Sequence, residues 1–190
     1  MNNKLEGKKV AILATDGFEQ SELFEPKKAL EEAGATVSIV SLKSGEIKGW
    51  DEDDWGKTIK VDLTVDEAKA DDFDALQLPG GVMNPDKLRT EESVINFIKA
   101  FFEAGKPVAA ICHAPWTLIN AGVVKGREMT SYHTIRKDLE NAGAKWTDEE
   151  VVVDNGLVTS RKPEDIPAFN RKMIEEIAEG KHRKQMTASQ

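Results

Sequence analysis

Short apolar runs alternate with stretches of helical periodicity along most of this chain, and that alternation confines it to an α/β fold with parallel strands. Val10–Ala14 (VAILA), Thr36–Leu42 (TVSIVSL), Phe73–Leu78 (FDALQL) and Pro107–Ile111 (PVAAI) are predominantly apolar and read as strands buried on both faces. Apolar residues recur at helical spacing over Glu22–Ala33, Glu91–Ala104, Trp116–Ala121, Ile135–Asn141 and Ile166–Ala178. Gly34, Gly105, Gly122 and Gly143 stand where four of these helices should stop. Strand, helix and strand in succession join parallel neighbours by a crossover. The reading is a doubly wound, mostly parallel sheet with helices on both faces.

The remaining segments are shorter. Lys43–Thr58, which carries the acidic run Asp51–Asp54, reads as short strands and loop. The acidic run has no convergent partner, so a solvated loop is favoured over a cation site. Ile59–Val65 alternates like a half-exposed strand, and Met129–Ser131 reads as a short one. Val151–Val153 and Leu157–Ser160 flank Asp154-Asn155-Gly156, a strong hairpin signal. Gly180–Gln190 reads as a polar, frayed tail. No repeat or interdomain linker interrupts the chain, which is expected to form a single domain over residues 1–190.

Charge and cysteine usage exclude several functions. With 26 basic and 34 acidic residues the formal net charge is -8, a poor basis for gripping nucleic-acid phosphates. No apolar run reaches the length of a membrane span, and the polar start Met1–Lys9 lacks the apolar stretch of a signal peptide. One cysteine makes no internal disulfide. These features suit a protein of the reducing cytosol.

Parallel strands deliver their C-terminal ends to one edge, where ligands sit in doubly wound folds. Three strand ends here carry unusual residues: Asp16-Gly17-Phe18-Glu19, Pro79-Gly80-Gly81 and Cys112-His113. Cys112 lies between strand and helix with no spacer, as in a nucleophile elbow, and the helix N-terminus is expected to lower its thiol pKa. Gly80 and Gly81 let backbone N–H groups turn outward; with the His113 N–H they would form an oxyanion hole. Glu19 is read as a carboxyl beside the sulfur with a raised pKa. Blander readings exist for each: a buried small hydrophobe for Cys112, a simple turn for the glycines, a first-turn carboxylate for Glu19. The convergence of the three ends favours the functional reading. His113 is the candidate base, subject to the bend at the elbow, and His133 a second candidate. His182 lies in the tail and is set aside. The histidines have no metal-ligand spacing, so neither a metal nor a cofactor is expected.

The segments Val10–Glu19 (VAILATDGFE), Ala75–Gly81 (ALQLPGG), Pro107–Pro115 (PVAAICHAP), Thr130–Tyr132 and Glu150–Ser160 (EVVVDNGLVTS) together resemble the PfpI family, relatives of class I glutamine amidotransferases. The resemblance runs from about Lys8 to Ala178. It implies a flavodoxin-like fold with Cys112 as nucleophile, His113 as partner and Glu19 as the adjoining carboxyl. It also implies that Asp86, shortly after the glycine pair, reaches across a subunit interface to the neighbouring histidine, so that the site is complete only in an oligomer. An N-cap for the helix after it is an equally natural role for Asp86. The His-Pro-Glu segment of amidotransferases is missing, which sets glutamine hydrolysis aside.

Three functions use this cysteine. The first, implied by the resemblance, is a glutathione-independent glyoxalase or deglycase acting on small aldehydes or glycated substrates through a hemithioacetal. The second is an intracellular cysteine peptidase. The third is a stress sensor or chaperone in which Cys112 oxidises to sulfinic acid.

Overall fold

A computed structural model describes residues 3–187. In chain order its strands are β1 (Lys9–Leu13), β2 (Phe18–Glu19), β3 (Thr36–Ser41), β4 (Glu46–Asp51), β5 (Asp54–Lys60), β6 (Leu63–Thr64), β7 (Ala75–Leu78), β8 (Val108–Ile111), β9 (Glu128–Met129), β10 (Lys145–Trp146), β11 (Val152–Asp154) and β12 (Leu157–Ser160). The helices are α1 (Gln20–Glu32), α2 (Met83–Leu88), α3 (Glu92–Glu103), α4 (Pro115–Asn120), α5 (Arg136–Asn141), α6 (Ile166–Glu179) and α7 (Arg183–Thr187).

Seven strands form the central sheet in the order β11-β12-β8-β7-β1-β3-β6. All neighbours are parallel except the β11–β12 hairpin, which turns at Asn155-Gly156, both at positive φ. The five principal strands, β3-β1-β7-β8-β12, follow the flavodoxin-like order 2-1-3-4-5. The order reverses at β1/β7, and the chain leaves both strands at their C-terminal ends to opposite sides. That switch point is where a crevice opens.

The apolar runs behave as buried parallel strands should. Along β1, Val10 and Ile12 face a cluster with Leu23, Leu30, Phe169 and Met173 of α1 and α6. Ala11 and Leu13 face the opposite cluster, with Phe97, Phe101, Phe102, Leu118 and Leu139 of α3, α4 and α5. The period of two in the strand thus supplies both layers of core from one run.

Three expectations change. The stretch Lys43–Thr58, read as short strands and loop, is a longer β4–β5 hairpin with the acidic run exposed at its tip, and β2 joins it as a small separate sheet through Phe18↔Gly49 and Glu19↔Trp50. The half-exposed strand expected over Ile59–Val65 is divided between β5 and β6. The tail is not frayed throughout: residues 183–187 are helical, and Gln185 is fully buried between Arg127 and the Lys106 carbonyl. Residues 188–190 of that expected tail lie outside the described ones. Among the described residues no helix is long and apolar enough to cross a membrane.

Candidate active site

Cys112 follows the last residue of β8 and has φ +64, a left-handed conformation that is costly for a residue with a Cβ. Two backbone hydrogen bonds hold it there: its N–H donates to the Ser160 carbonyl at 3.0 Å, and its carbonyl accepts from the Tyr132 N–H at 2.9 Å. The elbow lifts the side chain away from the strand while the chain continues into α4.

Gly80 fits against this elbow only because it lacks a side chain. A Cβ there would lie 2.6 Å from Cys112 Cβ and 2.7 Å from the Ile111 carbonyl oxygen. Gly81, at φ +79, packs against the β1–β2 loop, and a Cβ on it would lie 2.5 Å from the Gly17 carbonyl oxygen. The three strand ends are therefore in backbone contact.

The carboxyl beside the sulfur belongs to Glu22. This residue is fully buried, and its Oε1 accepts from the Gly80 N–H at 3.0 Å. Its carboxyl also interacts with the Cys112 side chain and the Gly81 N–H. Burial, reinforced by the nearby Glu19 charge, holds its pKa well above the usual carboxylate range. Glu19, expected in this role, is half-buried at the cleft mouth, where its carboxylate accepts from Ser21 Oγ at 3.4 Å. The reason is geometric. Glu19 ends β2 at the rim, whereas Glu22 lies in the first turn of α1 on the stripe shared with the buried Pro26 and Leu30.

That arrangement corrects the expected effect on the thiol. Burial and then the Glu22 carboxylate push the Cys112 pKa up, while the Gly81 and His113 N–H groups oppose them. Helix α4 spans only six residues, too short to override desolvation. The carboxyl and thiol behave as a coupled pair, with the proton on Glu22 favouring the thiolate. Gly80 is likewise corrected: its N–H is committed to Glu22, and the sulfur is faced by the His113 N–H and by the Gly81 N–H, which it shares with the Glu22 carboxyl.

His113 is turned by the elbow to face its neighbour, with Nδ1 3.2 Å from Cys112 Sγ. Its Nε2 lies 3.2 Å from Thr134 Oγ1. With Thr134 accepting from Nε2–H, this pairing leaves Nδ1 free to take the thiol proton. Burial, with the His133 charge nearby, lowers the imidazole pKa to about 4, so the ring is neutral near pH 7. Tyr132 stacks on it at 4.8 Å between centroids and Trp116 meets it edge-on at 5.0 Å.

The cleft over the sulfur encloses about 430 Å³ and is lined by residues that include Glu19, Glu22, Trp50, Val82, Tyr132 and Thr134. Two expected residues stand outside the contact set. His133 is exposed and faces a neighbouring cleft with Asp148 and Arg161. Asp86 is exposed in the first turn of α2 and so is not the helix cap considered above. Thr134 and Trp50 were not picked out from sequence; no motif marks either, because the register β2 to β4 and a loop far along the chain bring them in.

A flavodoxin-like sheet whose switch-point edge presents a cysteine at positive φ, with a neutral histidine against its sulfur, defines a class of cysteine-centred α/β proteins. The chain belongs to the DJ-1/PfpI family, whose model matches residues 8–176. Deglycase TK1284 of Thermococcus kodakarensis is 49% identical over 166 residues, 87% of this chain and 97% of that protein. YraA of Bacillus subtilis, named provisionally as a cysteine protease, is 48% identical over 168 residues, 88% of this chain and 96% of the other. Among solved structures, DJ-1beta of Drosophila melanogaster is similar with a TM-score of 0.82 and 28% identity, covering 96% of this chain and 95% of its own.

Proposed function

We propose that this chain is a cysteine-dependent enzyme acting on reactive aldehydes or the adducts they form, of the glyoxalase or deglycase type. The observation that carries the reading is the position of Cys112 Sγ, 3.2 Å from a neutral His113 Nδ1 and against the buried Glu22 carboxyl. The deglycase name of the T. kodakarensis relative supports it.

The chemistry follows from those groups. The thiol proton passes to His113 Nδ1 as the sulfur bonds the aldehyde carbon. The Glu22 proton goes to the aldehyde oxygen, giving a hemithioacetal and leaving a carboxylate. With methylglyoxal, Glu22 then removes the proton on the sulfur-bearing carbon and returns one to the adjacent carbon, while protons on the two oxygens exchange through His113. The product is a 2-hydroxy thioester. Water cleaves its carbon–sulfur bond, releasing lactate and restoring the thiol, with no external oxidant or reductant. The Gly81 and His113 N–H groups are placed to stabilise oxygen charge near the sulfur. From a glycated amine or thiol, transfer of the aldehyde carbon to Cys112 would free the parent group.

A cleft of about 430 Å³ suits such small substrates. The peptidase alternative uses the same Cys112–His113 pair and draws on the name of the B. subtilis relative; the deglycase name of the T. kodakarensis relative and the size of the cleft favour the aldehyde reading. A sensor role for the same thiol is compatible with turnover.

The reading extends to a second copy of the chain. Val82 and Met83 are two of the three large apolar side chains left exposed among the described residues, and Val82 lines the cleft. This supports self-association over α2, with Asp86 reaching the neighbour's His113. A reducing cytosolic compartment suits a free thiol at the centre.

The direct test is lactate formation from methylglyoxal without glutathione. The parent should form lactate and Cys112→Ser should not. Loss of methylglyoxal without lactate in the parent would overturn the reading.

A further inference from the structure

Far from Cys112, at the opposite edge of the sheet, the chain after α6 folds back across the starts of β8 and β12. The His182 N–H donates to the Gly105 carbonyl at 2.7 Å. The ring packs against Gly156, where a Cβ would lie 2.9 Å from His182 Cδ2. Gln185 is fully buried, donating to the Lys106 carbonyl at 2.6 Å and accepting from Arg127 at 2.9 Å. This strap lies beyond the residues matched by the family model, which end at 176.

Among the described residues, one group of histidine, cysteine and carboxylate side chains brings three donors within 4.8 Å of one another: Glu176, Glu179 and His182. Both carboxylates converge on one nitrogen. His182 Nε2 lies 3.2 Å from Glu176 Oε2 and 3.9 Å from Glu179 Oε2. That nitrogen is buried and has no hydrogen bond of good geometry. A short distance without an aligned hydrogen bond leaves the ring's polar atom unsatisfied.

We propose that Glu176, Glu179 and His182 form a binding site for a divalent transition-metal ion such as Zn²⁺. Two donors about 2.1 Å from one zinc at a tetrahedral angle stand about 3.4 Å apart, close to the 3.2 Å between Glu176 and His182. Glu179 is largely exposed and needs only a small side-chain rotation to join them. One nitrogen and two carboxylate oxygens suit zinc, with water in the fourth position. Glu176 and the His182 ring are already held by the fold. Glu176 is buried beside Gly156, and His182 is held by its backbone N–H on the Gly105 carbonyl and by the packing of its ring against Gly156. The ion would tie the end of α6 to the strap, and stability gained through binding follows ion concentration.

The test is calorimetric titration of the full chain with Zn²⁺, alongside thermal melts with and without the ion. Cys112→Ser is included because a thiol can bind zinc itself. The parent and Cys112→Ser should bind one equivalent at the same affinity and melt higher with zinc. Glu179→Gln, whose exposed side chain should leave folding intact, should weaken binding at least about tenfold, and His182→Ala should abolish the zinc-dependent rise in melting temperature. Binding that disappears in Cys112→Ser but persists in His182→Ala would overturn the proposal. So would the absence of binding in a folded parent.

Discussion

Glu22 and Cys112 share a buried niche closed by Gly80, whose N–H donates to Glu22 Oε1 at 3.0 Å and whose Cα leaves no room for a methyl group beside Cys112 Cβ. The carboxyl beside the sulfur is therefore held by α1, not by the rim residue Glu19.

Glu22→Gln keeps the acceptor for Gly80 N–H and removes the proton exchange. Turnover of methylglyoxal should fall about a hundredfold or more, while Glu19→Gln should change it by less than about threefold. Steady-state kinetics of the two variants separate the roles. A loss in Glu19→Gln alone would move the acid–base role back to the rim.

The same substitution should stabilise the fold above acidic pH. Glu22's folded pKa is raised by burial, so the folded state binds its proton more tightly than the unfolded state does. That contribution is fully present below the unfolded carboxyl pKa and is lost as pH rises toward the folded value. Glu22→Gln should therefore melt above the parent at pH 8, by about 2–4 °C for each kcal/mol recovered. The difference should shrink near pH 4. Melting curves at the two pH values give the sign.

Thr134→Val removes the acceptor for His113 Nε2–H and should lower kcat about tenfold or more, with Thr134→Ser retaining most activity. Because His113 titrates at about 4, the acid limb of the parent's rate profile should fall as pH drops through that value. The limb should move in Thr134→Val and return in Thr134→Ser.

Asp86 can be tested by complementation. If it serves a neighbouring copy, Asp86→Ala and Cys112→Ser should each be inactive alone and regain activity when mixed under conditions that allow subunit exchange. Mixtures that remain inactive despite exchange would assign Asp86 no role across the interface.

The sheet was legible because its strands are short apolar runs that feed two cores from alternate positions. The hairpin of β4 and β5 was harder to see, since its exposed faces erase the apolar signal over Asp51–Lys60. At the site, the cysteine elbow and glycine pair could be read from their places at strand ends. The carboxyl could not be assigned that way, because Glu19 and Glu22 lie one helical turn apart. A local signal did exist: Glu22, Pro26 and Leu30 share one face of α1, and a carboxylate on a buried stripe needs a partner. Thr134 and the strap at His182 depend on contacts between distant segments, which no local pattern encodes.

In the proposed reaction Cys112 bonds the aldehyde carbon and Glu22 carries the next proton transfer. Intact-mass and peptide mapping of Glu22→Gln after brief exposure to methylglyoxal examines both steps at once. An adduct of one methylglyoxal on the Cys112 peptide, persisting without conversion to lactate, is the predicted result. An unmodified Cys112 in that variant, together with undiminished lactate formation, would contradict the account.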